Sequence, residues 1–153
     1  VYGIQVAGLG VGARENIAGV TVAPAGVLSG ANITGITTSG IFIRGVERIR
    51  GLQAAGAGVF GAELQGITVG AVVAGGTDLG LIAAPAYYRG GSDGAMTGVS
   101  VSAFNHVRGE QRGLTIGLFN YAQTLSGIQI GALNYAANNP TFLRLLPGIN
   151  LNL

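Results

Sequence analysis

A parallel β-solenoid is the fold that this sequence predicts. Three observations lead there: a glycine that returns every 14–18 residues, a two-residue alternation after each such glycine, and very little charge. The anchors are Gly3, Gly19, Gly35, Gly51, Gly66, Gly80, Gly98, Gly113 and Gly127. A period near 15 is too short for helical repeats, which need about 33 residues or more per pair of helices, and suits one β-coil per unit. Nine or ten coils of about 15 residues are expected, each adding about 4.8 Å to a rod. The length is that of one domain. Charged residues make up 9% of the chain and its mean hydropathy is +0.52, so most side chains face other protein or lipid. The 29 glycines do not fall every third residue and there are only 4 prolines, which excludes collagen.

The first element of each unit is a short strand. The residue after the anchor is aliphatic throughout, as in Val20, Ile36 and Ile128. The next is mostly polar, as in Thr21, Thr37 and Gln129, and the third is mostly aliphatic again. Such alternation reads as a strand with one buried face. Hydrophobicity assigns the aliphatic columns to the inside and leaves the Thr/Gln/Ser column as an exposed polar stripe. Small residues follow, with Pro24 and Pro85 among them, and the apolar parity then flips, which marks a corner. A second short strand comes next, and a polar turn collects most of the charges, including Arg14, Glu15, Glu47, Arg48 and Arg108–Arg112. An apolar residue often stands two positions before the anchor, as in Ile17, Ile33 and Ile49. Asp78 departs from that rule, and Arg89–Gly94 makes a longer turn.

Repeats occupy residues 1–136. Asn138-Asn139-Pro140 breaks their rhythm, and residues 137–153 are expected to form a final coil or a C-terminal closure of the same domain. A small antiparallel β-barrel is the alternative fold, opposed by the parity flip inside each unit.

Catalytic chemistry finds little material. His106 is the single histidine and takes a column otherwise filled by residues such as Val27, Ile43, Tyr121 and Tyr135. A general base needs a positioned partner, and none is evident. No catalytic, cofactor-binding or metal-binding residues are identified, no cofactor is expected, and the chain is not expected to be an enzyme. Cysteine is absent. All eight basic residues are Arg and they form no basic cluster with interleaved aromatics, so no nucleic-acid partner is expected. Asn105, Asn120 and Asn134 share a column and are expected to form a structural ladder of hydrogen-bonded amides, with Tyr121 and Tyr135 stacked beside it.

The units Gly113-Leu-Thr-Ile-Gly-Leu-Phe-Asn-Tyr-Ala122 and Gly127-Ile-Gln-Ile-Gly-Ala-Leu-Asn-Tyr-Ala136, with the ending Leu146-Pro147-Gly148-Ile149-Asn150, resemble a family of bacterial surface-repeat proteins. The resemblance covers residues 98–153 and fades toward Val1, where Gly10, Gly26, Phe42, Gly58 and Val73 stand in place of the Asn. It implies an exported or surface-associated bacterial protein without assigned enzymatic activity.

Val1 enters the repeat pattern directly, which favours a trimmed, exported chain. Uncapped solenoid ends would expose strand edges. The expected function is therefore structural: head-to-tail self-assembly into a fibre, with Val1, Tyr2, Ile149, Leu151 and Leu153 as the assembly ends. The alternatives are a monomeric surface module that binds glycan or protein, and an outer-membrane barrel. A membrane span is not expected.

Overall fold

The structure is a computed structural model that describes residues 1–152. Its strands are β1 (Tyr2–Val6), β2 (Gly10–Ala13), β3 (Ile17–Ala23), β4 (Gly26–Ser29), β5 (Ile33–Ser39), β6 (Phe42–Gly45), β7 (Arg48–Phe60), β8 (Glu63–Ala74), β9 (Thr77–Gly90), β10 (Ala95–Ala136) and β11 (Leu145–Asn152). A 3-10 turn, Thr141–Leu143, precedes β11. β1, β3, β5 and the first halves of β7, β8 and β9 pair in parallel and form wall A. β2, β4, β6 and the second halves of the long strands form wall B.

The register joins Gly3 to Gly19, Gly35, Gly51, Gly66, Gly80 and Gly98 in turn. Seven coils are tied together this way, about 16 residues apart in the first of them, and the winding continues inside β10. Parallel pairing of successive units makes a β-solenoid and excludes the antiparallel barrel.

The anchor glycines explain the period. Gly35 and Gly51 have φ of +114° and +115°, a region that L side chains avoid. A Cβ at Gly51 would lie 2.2 Å from the carbonyl oxygen of Gly35, one coil below. Coils can stack at strand spacing here only because the side chain is missing.

The faces of wall A are the reverse of the hydrophobicity-based expectation. Thr21, Thr37, Gln53, Thr68, Ser100, Thr115 and Gln129 point inward and are buried, while Val20, Ile36, Leu52, Ile67 and Ile128 are exposed. Parity supplies the reason. Ile17, Ile33, Ile49, Leu64, Met96 and Leu125 stand two residues before the anchor and four before the polar residue, so all three positions share one face. The large residue fills the coil, the glycine lets the next coil approach, and the Thr or Gln follows them inside. From wall B, Val27, Ile43, Val59, Val73 and Tyr88 complete the core. Several inward polar atoms, including Thr37 Oγ1 and Gln53 Nε2, have no protein partner among the described residues.

The column reading of wall B is also corrected, by one residue. Val59 pairs with Val73, Val73 with Tyr88, and Tyr88 with Asn105, so the asparagines continue the buried Val/Ile column. His106 pairs with Arg89 and faces outward. Register shifts at the corners, between Ala55 and Gly58, Val69 and Val72, and Ser102 and Phe104, account for the slip.

The C-terminal segment is not a further coil. β11 runs antiparallel to the end of β10, with Ile149 opposite Ile130 and Leu151 opposite Ile128. Asn139 Nδ2 donates to Asn150 Oδ1 at 2.8 Å, and Asn152 Nδ2 donates to Asn139 Oδ1 at 2.8 Å, which holds the return in place. The edge of the last coil over Gly127–Tyr135 is therefore paired rather than open. At the other extreme β1 is an edge strand, with Tyr2 exposed. Leu153 lies outside the described residues.

Candidate functional surface

The outward face of wall A is aliphatic along the rod. Two outward positions follow each of the nine anchors, and of these eighteen residues only Thr38 is polar. Ile36 keeps 48% and Ile67 45% of its surface exposed. Ile149 and Leu151 lie directly opposite Ile130 and Ile128 and extend this face across β11. Ile149 and Leu151, expected at an assembly end, thus lie on the strand that ends the sheet. The corner leading from wall A to wall B carries no charged residue in any coil. Charge is confined to the other edge and its borders, apart from buried Asp78 and Arg144 near the C-terminus.

Wall B explains the Gly-x-x-Asn motif. Asn105 Nδ2 donates to Asn120 Oδ1 at 2.7 Å, and Asn120 Nδ2 to Asn134 Oδ1 at 2.7 Å. The same amides reach the corner of the next coil, at Ile116 O (3.0 Å) and Ile130 O (2.9 Å). Gly117 and Gly131 make room for them: a Cβ at Gly131 would lie 2.6 Å from Asn120 Nδ2. The amides are fully buried. Gln129 Nε2 to Gln111 Oε1, at 3.0 Å, adds a second buried amide contact. The core is thus aliphatic toward Val1 and amide-rich in β10.

Outside the asparagines, Tyr121 and Tyr135 stack with planes 3° apart and centroids 5.3 Å apart, and His106 meets Tyr121 edge-on at 5.0 Å. The Tyr87 hydroxyl and His106 Nδ1 are 2.9 Å apart. Burial, then the nearby charges of Arg108 and Arg89, hold the imidazole below its ordinary value. Tyr87, Phe104, His106, Phe119 and Tyr121 surround an open cleft of about 330 Å³.

Asp78 is the one buried carboxylate among the described residues, in the column of Ile49 and Leu64. The Tyr88 hydroxyl donates to its Oδ2, and its Oδ1 has no protein partner. Burial pushes the Asp78 carboxyl from 3.8 up to about 6, although hydrogen bonds from Tyr88 and the Leu64 backbone act downward. Burial, and then the Asp78 charge, push the Tyr88 hydroxyl far above its ordinary value. The folded state therefore holds the Asp78 proton more tightly than the unfolded chain does. Its contribution is complete below the unfolded value and is lost as pH rises through the folded one. Raising pH from about 4 to about 7 is expected to cost about 2 kcal/mol from this group. Asp78→Asn is expected to remove that slope, read from denaturation midpoints across pH.

Among the described residues no group of three or more His, Cys, Asp or Glu is placed to hold a metal ion. No helix among them is long and apolar enough to cross a membrane. Hydrophobicity alone conceals the outer face of wall A, although the sequence holds a signal for it. The position two before the anchor holds the bulkiest regular apolar residues and shares parity with the Thr/Gln column.

Comparison with protein-family models, curated proteins and solved structures finds no match.

Proposed function

We propose that this chain is a non-enzymatic structural protein, exported or surface-associated, whose copies assemble with one another through the outer face of wall A. The observation behind this reading is the uncharged aliphatic face that follows all nine anchors. Monomers rarely expose contiguous apolar patches beyond a few hundred Å², and larger ones mark contact surfaces. Two flat sheets pack face to face about 10 Å apart with interleaved side chains, an arrangement open to two copies related by a twofold axis. Burying a large aliphatic side chain contributes about 1.5–3 kcal/mol, so a few coils in contact outweigh the cost of association. β1 and β11 end the sheet as edge strands, so end-to-end contact between copies is a second mode open to the same rod.

Ile36→Glu with Ile67→Glu places two charges in the middle of this face without touching the core. Sedimentation velocity over a concentration series is expected to show assembly of the native chain and a monomer for the variant, with unchanged circular dichroism. A native chain that stays monomeric throughout would overturn the reading. The surface location rests on the resemblance of the β10 repeats and is tested by fractionating producing cells.

A further inference from the structure

We propose that Arg44, Arg89 and Arg108 form a phosphate-binding hollow that seats wall B on an anionic phospholipid surface. This lies on a different wall from the self-association face and goes beyond it.

The three arginines line one open hollow of about 440 Å³, floored by glycine turns that include Gly61, Gly76 and Gly91. No carboxylate lines it. The edge's ion pairs are formed by other arginines, Arg48 with Glu63 and Arg112 with Glu110. Arg44, Arg89 and Arg108 are exposed and have no carboxylate partner among the described residues. Glu47 and Asp93, which form no salt bridge among the described residues, line adjoining hollows, and that of Asp93 shares Arg108 and Ser92 with this one and also holds Glu110. Floor amides are already used: Gly61 N donates to Ala74 O, Gly75 N to Arg89 O and Gly76 N to Ala62 O. The charged donors are the three guanidinium groups, with the Ser92 hydroxyl beside them, over a floor of small residues. Planar guanidinium forks match phosphate oxygens, and their weak hydration favours such contacts.

The apolar surroundings select a lipid as the source of the phosphate. Arg89 is the cross-strand partner of His106, which borders the aromatic cleft. Arg44 and Arg89 share one outward column of wall B with His106, Arg108 lies two positions nearer the charged edge, and Phe104 and Phe119 lie nearer the uncharged corner with Leu118. Leu118 is 64% and Phe104 51% exposed. Cations and amphipathic rings in one column, with hydrocarbon beside them, match a membrane interface, where tyrosine sits at headgroup level and apolar groups enter the acyl boundary. A soluble phosphate ligand gives exposed Phe104 and Leu118 nothing to bind.

The test is flotation of the full chain with phosphatidylcholine vesicles, with and without phosphatidylglycerol. Binding is expected to require phosphatidylglycerol and to weaken as salt rises. The triple variant Arg44→Gln, Arg89→Gln, Arg108→Gln is expected to bind about a hundredfold more weakly, at about fivefold per arginine beside an anionic surface. Phe104→Ser with Phe119→Ser is expected to weaken binding while keeping the phosphatidylglycerol preference. Equal binding to neutral vesicles, or an unaffected triple variant, overturns the proposal. So does inorganic phosphate titrating the hollow in a chain that ignores vesicles, or a single-stranded oligonucleotide that binds the same arginines more tightly than vesicles do. Sedimentation of the same samples separates the two ideas. Loss of assembly with retained vesicle binding sinks only the wall A reading, and the converse sinks only this one.

Discussion

Gly51→Ala is expected to unfold the middle of the rod. The added methyl would lie 2.2 Å from the carbonyl oxygen and 3.1 Å from the nitrogen of Gly35. Both are backbone atoms, so no rotamer change relieves the contact. The φ of +115° adds about 1–3 kcal/mol of strain for a residue with a Cβ. The alternative is to separate two coils and lose their ladder bonds. In a solenoid each unit is stabilised by its neighbours, so a break at one interface weakens both flanks. The total falls in the class above about 4 kcal/mol that marks exceptional substitutions. Gly12→Ala is the control, since a Cβ there meets nothing within 4 Å. Thermal unfolding followed by circular dichroism is expected to show a large fall in midpoint for Gly51→Ala and almost none for Gly12→Ala. Equal midpoints would rule out glycine stacking as the element that sets the coil.

Asn120→Ala is expected to cost about 3 kcal/mol. Asn120 accepts from Asn105 and donates to both Asn134 Oδ1 and Ile130 O, all within 2.7–2.9 Å. Truncation strips a donor from two buried acceptors and an acceptor from Asn105 Nδ2, which still reaches Ile116 O at 3.0 Å. Each buried polar group left unpaired costs about 1–3 kcal/mol. Because the rungs share partners, Asn134→Ala made on top of Asn120→Ala is expected to cost less than it does alone. Urea denaturation of the two single variants and the double variant completes the cycle. An additive result would mean that the amides act as separate capping groups rather than as one ladder.

These two positions also show how much was legible in the residues. The column of Asn105, Asn120 and Asn134 stands out because its members repeat at coil spacing beside Gly117 and Gly131. His106 was harder to place, because corners that gain or lose one residue shift everything after them. The arginine hollow left no linear trace: Arg44, Arg89 and Arg108 belong to different coils, and only winding brings them together. The C-terminal return was hidden for a similar reason. Gly148-Ile149-Asn150-Leu151 alternates like any strand, and alternation carries no direction.

The residues alone determined the period, the strand–corner–strand order and parallel stacking, because glycine spacing and two-residue alternation are local properties of the chain. Tertiary structure decided which face of each strand turns inward. Alternation defines two faces but does not name the inner one, and hydrophobicity names it only when the outer one meets water alone. Here closure of the coil set the choice. The inner face must carry a glycine where coils nearly touch and a bulky residue where the walls part, and Ile17, Gly19 and Thr21 share that parity. The aliphatic residues were left outside.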